Sequence, residues 1–360
     1  MRRWSWALGI AGASLMLAMS GVLSRFSFGD NSHTGGFMLL SVCVLFSSLS
    51  SAEGAVFRGF RRFRKLARAS VWGAVGGLAV SLPMFYFWGQ ESIVPSIIAY
   101  TVVTWIALGL YREKVGRPTE PLAFSDSLAM GKGFVVLGVF MTASMFACNL
   151  VSYLFLAWLN KGYGEDAVGL YQAGFTLVNK YVGLVFTAIA VEYYPRLSAV
   201  AHSSRRMSLF ASHEIRLLMW ILMGAVPVFV IVAGPVVRLL YSSDFLEMLP
   251  FVILGAVGTV FRAYGWCVAF AILARGDGAT YLWTEVLSSL VSLALNVVAF
   301  SLWGWAGLGI AYIIWYAAYA VVVSGVSLVR YDLRVSVRVV ALTAVAAVAA
   351  SGMALVTLLR

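Results

Sequence analysis

Five ionisable residues, Glu53, Lys180, Glu192, Arg262 and Glu285, lie inside long apolar runs. A charge at the centre of a membrane-crossing helix costs on the order of 3 kcal/mol on insertion scales, so each is a candidate for binding or ion exchange. Apolar sequence runs from Ala167 to Pro195 around Lys180, about 20 Å to either end at the ~1.5 Å rise of a helix. Snorkelling does not reach that far. Gln172, Thr176, Asn179, Gly183 and Thr187 share its helical face. That stripe has two readings: the lining of a water-filled cavity, or an interhelical hydrogen-bond seam. Arg262 is also near mid-depth, and Gly255, Gly258, Thr259, Gly265 and Trp266 stand on its face. Small residues there leave room for a neighbouring backbone or for a ligand. Glu285 heads a third stripe with Ser288, Ser289, Ser292 and Asn296, and suits either a partner for Arg262 or a protonatable coupling group. All three acids fall nearer the ends of their runs than the two cations do, and Glu53 and Glu192 read as interfacial. Two mid-depth cations with no acid at their level point to a cavity that receives an anion.

Covalent and metal chemistry find little footing. Cys43, Cys148 and Cys267 sit in apolar runs, with no CxxC and no Cys/His metal spacing. His202 and His213, among Arg205, Arg206 and Arg216, read as solvated loop residues. Acids of the opposite loops, such as Asp30, Glu91 and Asp244, form no clustered constellation. No enzyme, cofactor or metal is expected.

The elements that must position these stripes follow from composition. Of 360 residues 61% are hydrophobic and 11% charged, and mean hydropathy is +0.90. So few charges cannot coat a water-soluble globule of this size, whereas a bilayer requires no such coat. Eleven segments have the roughly 20 apolar residues of a membrane span, at 4–23, 37–57, 69–88, 92–111, 133–160, 167–194, 214–237, 248–273, 281–301, 306–328 and 336–358. The net charge of +11 then reports orientation. With the N-terminus cytoplasmic, 20 of the 26 Lys and Arg residues fall on the cytoplasmic side, while Arg25, Lys161, Arg238 and Arg360 fall outside and Lys180 and Arg262 within helices. The basic run from Arg58 to Arg68 reads as an anchor on anionic lipid, and no nucleic-acid partner is expected. Pro83, Pro95, Pro227 and Pro235 lie in apolar helices, as moving bends or as plain kinks.

Several runs carry a resemblance. AVGLYQAGFTLVNKYVGLVFTA (167–188), EYYPRLSAV (192–200), LLYSSDF (239–245), ILARGDGATYLWTEV (272–286) and SSAEGAVFRGFRRFRKLARASV (50–71) are similar to stretches of the Wzx-type polysaccharide and O-antigen flippases of the multidrug/oligosaccharidyl-lipid/polysaccharide (MOP) exporter superfamily. The Tyr-Pro-Arg-Leu-Ser run is the most specific of them. The resemblance implies an all-α polytopic membrane protein, MATE/MOP-like, with two lobes around a central cavity. It also implies transport of an undecaprenyl-diphosphate-linked oligosaccharide across the bacterial inner membrane by alternating access, for polysaccharide, O-antigen or lipopolysaccharide synthesis, with H+ or Na+ coupling. On that reading residues 1–132 form an N-terminal lobe of four helices, lacking two of the family's six. Residues 133–328 form a six-helix lobe and 329–360 an additional helix. Lys180 and Arg262 would meet the diphosphate, and polar faces with Asn149, Asn179 and Asn296 the sugars. A cation-drug antiporter of the same superfamily and a membrane glycan polymerase or ligase are the competing expectations.

Overall fold

The computed structural model describes residues 2–28, 30–60, 62–112 and 124–359. Among them are nine long α-helices and no strand: α1 (Arg2–Phe28), α2 (Thr34–Gly59), α3 (Phe63–Trp88), α4 (Ile93–Leu110), α5 (Phe124–Ala199), α6 (Ser204–Leu240), α7 (Leu249–Ala274), α8 (Gly278–Tyr331) and α9 (Val337–Leu358). All nine carry stretches long and apolar enough to cross a membrane. Two of them hold two spans each. The 76 residues of α5 break at Gly164 (φ 86°), and the 54 of α8 break at Gly304 (φ 55°), a backbone region open to glycine and costly for other residues. The eleven expected segments are therefore present, the last break of each pair falling in the gaps 160–167 and 301–306. Bonds from Trp315 to Ser288 and from Tyr331 to Asp277 show the arms of α8, 278–303 and 305–331, running antiparallel.

The helices extend further into the connections than the apolar count suggested. α5 runs through Pro195 to Ala199 and α6 starts at Ser204, so His213 is an exposed helical residue where a loop was expected. The reason is local. Ser203 caps α6 by accepting from the Arg206 N–H, and polar residues extend an amphipathic helix past its apolar stretch. Arg58 likewise closes α2, and Arg64, Lys65 and Arg68 belong to α3. Pro95 sits in the first turn of α4, where no helical hydrogen bond is lost, and makes no bend there. Pro83, Pro227 and Pro235 are interior.

The chain forms two compact units, Met1–Pro121 and Leu122–Arg360. In the first, Gly73, Gly76 and Gly77 of α3 meet Thr104, Val103 and Tyr100 of α4, a small-residue face of the kind that lets membrane helices pack closely. Glu53 of α2 is nearly buried and pairs with Arg112 just beyond α4 at 3.1 Å. In the second unit α7 is the central helix: Val252, Ile253, Ala256, Val260, Cys267 and Val268 are all buried in a continuous apolar core shared with α6, α8 and α9. Backbone amides of Arg334 and Ser336 donate to Ser208 and Ser212 of α6, pinning the connection into α9, so residues after 328 belong to this unit.

Candidate functional site

The glycines around Arg262 are filled by protein. A Cβ at Gly258 would lie 2.5 Å from a ring carbon of Tyr312, one at Gly265 2.7 Å from Tyr319, and one at Gly255 2.9 Å from Val178. The small face of α7 therefore serves close packing against α5 and α8, which settles the first of the two readings for those positions. The opposite outcome holds for the stripe of α8. Glu285, Ser288, Ser289, Ser292 and Asn296, spaced to share one helical face, all line a cavity of about 480 Å³.

Four further helical segments close this cavity. The first arm of α5 supplies Cys148, Ser152 and Phe155, and the second arm Tyr171 and Phe175. α7 supplies Arg262, Trp266 and Phe270, and the second arm of α8 adds Trp315, Tyr316 and Tyr319. The rings interlock: Phe155 lies edge-on to Tyr171 with centroids 4.9 Å apart, and Trp266 is 4.6 Å from Phe270. A hydroxyl, amide and carboxyl wall thus faces an aromatic one, at a volume within the range of small-molecule sites.

The polar wall is tied to its surroundings group by group. Trp315 Nε1 donates to Ser288 Oγ at 2.7 Å, Asn296 Nδ2 to Ser292 Oγ at 3.3 Å, and Ser289 Oγ to Cys148 Sγ at 3.1 Å. The Tyr319 hydroxyl donates to Glu285 Oε1. Arg262 is held more firmly. Its guanidinium donates to Asn179 Oδ1 at 2.7 Å and to the Tyr312 hydroxyl at 3.3 Å, and it lies 5.3 Å from the Phe186 centroid and 5.7 Å from that of Tyr316. Tyr312 donates to the same Asn179 oxygen at 2.9 Å. Asn179 therefore holds the Arg262 guanidinium and does not itself line the cavity. Among the described residues no ion pair joins Arg262 to an acid, yet Glu285 opens on the same cavity, so the difference in depth inferred from sequence does not separate them.

Other expected positions are placed as follows. The Lys180 side chain lies outside the described residues, although its helix is described. Asn149 and Gln172 are exposed and Thr176 half-buried, all three outside the cavity lining. Thr187 bonds back to the Gly183 carbonyl of its own helix. Glu192 pairs with Arg196 one turn on, and both side chains are exposed. The aromatic wall was not anticipated. Its signal is present as i, i+4 ring pairs: Tyr171 with Phe175, Trp266 with Phe270, and Trp315 with Tyr319.

Just outside the span, Asp277 caps α8 through the Thr280 N–H and also accepts from the Thr280 and Tyr331 hydroxyls. Burial works against its ionisation, but these bonds and nearby Arg330 outweigh that and hold its pKa below the ordinary aspartate value.

This all-helical multi-pass membrane fold is that of MATE and MOP-superfamily transporters. A solved MATE structure in complex with MaL6 superposes with a TM-score of 0.73 at 15% identity, over 95% of this chain and 78% of that one. A MOP-superfamily transporter from Pyrococcus furiosus, described as having a binding pocket of reverse polarity, gives 0.69 at 17% identity, over 94% and 77%. An outward-facing multidrug-resistance MATE transporter gives 0.69 at 17%, over 95% and 77%. These likenesses establish the fold. The family comes from the sequence match: residues 4–250 fit the family described as polysaccharide biosynthesis protein, and the chain belongs to it. No curated protein matches the chain.

Proposed function

We propose that the protein is a flippase that carries a polyprenyl-diphosphate-linked oligosaccharide across the bacterial inner membrane by alternating access, for polysaccharide or O-antigen synthesis, with its N-terminus cytoplasmic. The observation that carries this reading, beside family membership, is the two-sided cavity. A pyranose ring has apolar faces and a rim of hydroxyls, and Trp266, Phe270 and Phe155 suit the faces as Ser288, Ser292 and Asn296 suit the rim. In this reading Arg262, and Lys180 on the neighbouring helix, attract the diphosphate, while bilayer lipids surround the protein and H+ or Na+ drives the cycle. Glu285 is the candidate coupling group.

The test is export of surface polysaccharide in a strain that depends on this protein. Arg262→Ala is expected to reduce export roughly tenfold or more, the scale of a lost charge-assisted bond, with the lipid-linked repeat retained inside. Normal export by Arg262→Ala together with Lys180→Ala would overturn the assignment. One observation favours a second reading: Glu285 beside the rings of Tyr281, Trp315 and Tyr319 also suits an organic cation. Efflux of a radiolabelled cation by reconstituted protein, lost in Glu285→Gln, would favour an antiporter.

A further inference from the structure

A second recess lies on the outer side of the α8 hairpin, at the end marked by Asp277. It has a volume of about 530 Å³ between the arms, and Leu287, Val322, Gly325, Val326 and Val329 are among the residues that line it. A narrower cleft continues from it past Thr284, Leu287 and Val322 to Val291 and Ala318. The recess is open to the surroundings: Trp283 is 69% exposed and Val329 84%. Its mouth is polar and carries both signs of charge. Arg330 Nη1 stands 3.8 Å from Asp277 Oδ2 and donates to Thr280 Oγ1, and the Arg330 side chain is 59% exposed.

The donor and acceptor inventory leaves capacity on both groups. A guanidinium offers five N–H donors, and Arg330 directs one nitrogen to protein partners. A carboxylate accepts about four hydrogen bonds, and Asp277 receives three, from the Thr280 amide and the Thr280 and Tyr331 hydroxyls. The mouth is at the end of a membrane span beside an exposed tryptophan, at the level where lipid headgroups meet aromatic belts. An apolar slot that ends in an adjacent cation and anion matches a lipid whose own headgroup is a phosphate followed by an ammonium.

We propose that this groove is a binding site for an aminophospholipid of the phosphatidylethanolamine type, with its phosphate on Arg330, its ammonium on Asp277 and an acyl chain along Leu287, Val322 and Val329. The pairing selects among bilayer lipids. A headgroup with net negative charge meets the Asp277 carboxylate, and a quaternary ammonium has no N–H to donate to it. The recess shares no lining residue with the cavity of Arg262; only the narrow cleft beyond it touches Ser288, Trp315 and Tyr319 of that cavity's wall, and the proposal does not depend on what the cavity carries.

The experiment is native mass spectrometry of the purified full chain titrated with dioleoyl phosphatidylethanolamine, phosphatidylcholine and phosphatidylglycerol. The expected result is retained phosphatidylethanolamine, preferred about tenfold over each of the others, as one charge-assisted hydrogen bond allows. Asp277→Asn should equalise phosphatidylethanolamine and phosphatidylcholine; asparagine caps helices as well as aspartate, so the fold is kept. Gly325→Leu, whose Cβ enters open space, should put an isobutyl group into the lining of the recess and remove the retained lipid with both charges intact. Equal retention of the three lipids, preference for phosphatidylglycerol, or an unchanged preference in Asp277→Asn or Gly325→Leu would overturn the proposal.

Discussion

The α3–α4 hairpin and the two arms of α8 turn in the same way and end differently. Gly89 reverses the first at φ 54°, ψ −130°, and Gly304 the second at φ 55°, ψ −135°. Beyond the turn, α3 offers glycines to α4, and the helices meet on Thr104, Val103 and Tyr100. Next to its turn α8 also packs on a glycine, since a Cβ at Gly307 would lie 1.9 Å from the Ala299 carbonyl oxygen, but farther along its arms meet through large side chains that reach across, Trp315 to Ser288 and Tyr319 to Glu285. The turn therefore does not decide whether a hairpin is a packing unit or one wall of a site. Side-chain size and polarity on the facing stripe decide it. A face of glycines removes the space between helices, while a stripe of serine, asparagine and glutamate opposite tryptophan and tyrosine lines a cavity with groups able to bind.

The same substitution placed in each hairpin gives the largest contrast. At Gly77 a Cβ would lie 2.3 Å from Tyr100 Cδ2, so Gly77→Leu forces the helices apart, at roughly 3 kcal/mol or more, the upper range of overpacking. At Gly325 nothing stands within 4 Å, and Gly325→Leu should change stability by no more than about 0.5 kcal/mol. Thermal melts of the two purified variants check this, and equal losses would remove the distinction. The next effect in size belongs to the bridges of α8. Trp315→Phe keeps a ring and deletes the donor to Ser288, for an expected loss of about 0.5–1.5 kcal/mol. Its second readout is ligand protection of Cys148, which lines the cavity, from a thiol reagent. A melt unchanged from the parent would mean that packing and not the bridge holds the arms.

How much of this was legible in the sequence depends on what each signal measures. Apolar run length reports span number directly, so the eleven segments were readable, including both that share a helix across Gly164 and Gly304. The α8 stripe was readable because polar residues at helical spacing in an apolar run have few destinations. The glycines beside Arg262 were ambiguous, since a missing side chain marks space without naming what fills it; Tyr312, Tyr319 and Val178 do so from two other helices. The partners of Arg262, 83 residues away at Asn179 and 50 away at Tyr312, arise from tertiary packing that periodicity cannot see. The aromatic wall was hidden for another reason. Rings are ordinary in membrane helices, and only their convergence from α5, α7 and α8 distinguishes these.

The smallest effect tests how one helix of each hairpin is capped. Ser92, before α4, makes no side-chain cap bond, whereas Asp277 caps α8 and ties its two ends together through Tyr331. Because the folded pKa of Asp277 is depressed, its contribution is fully present above the unfolded value, near 3.9. It is lost as pH falls through the lower folded value. The protein should therefore lose stability below about pH 4 at this site, and in Asp277→Asn that part of the pH dependence should vanish. The Asp277 side chain keeps 25% of its exposure, and solvent at that edge screens the charge, so the expected difference is small, on the order of 1–3 °C in Tm between neutral and acid conditions. Identical acid profiles for the parent and Asp277→Asn would show that Arg330 and Tyr331 hold the ends of α8 without help from the charge. The contrast between the two hairpins would then rest on their facing stripes alone.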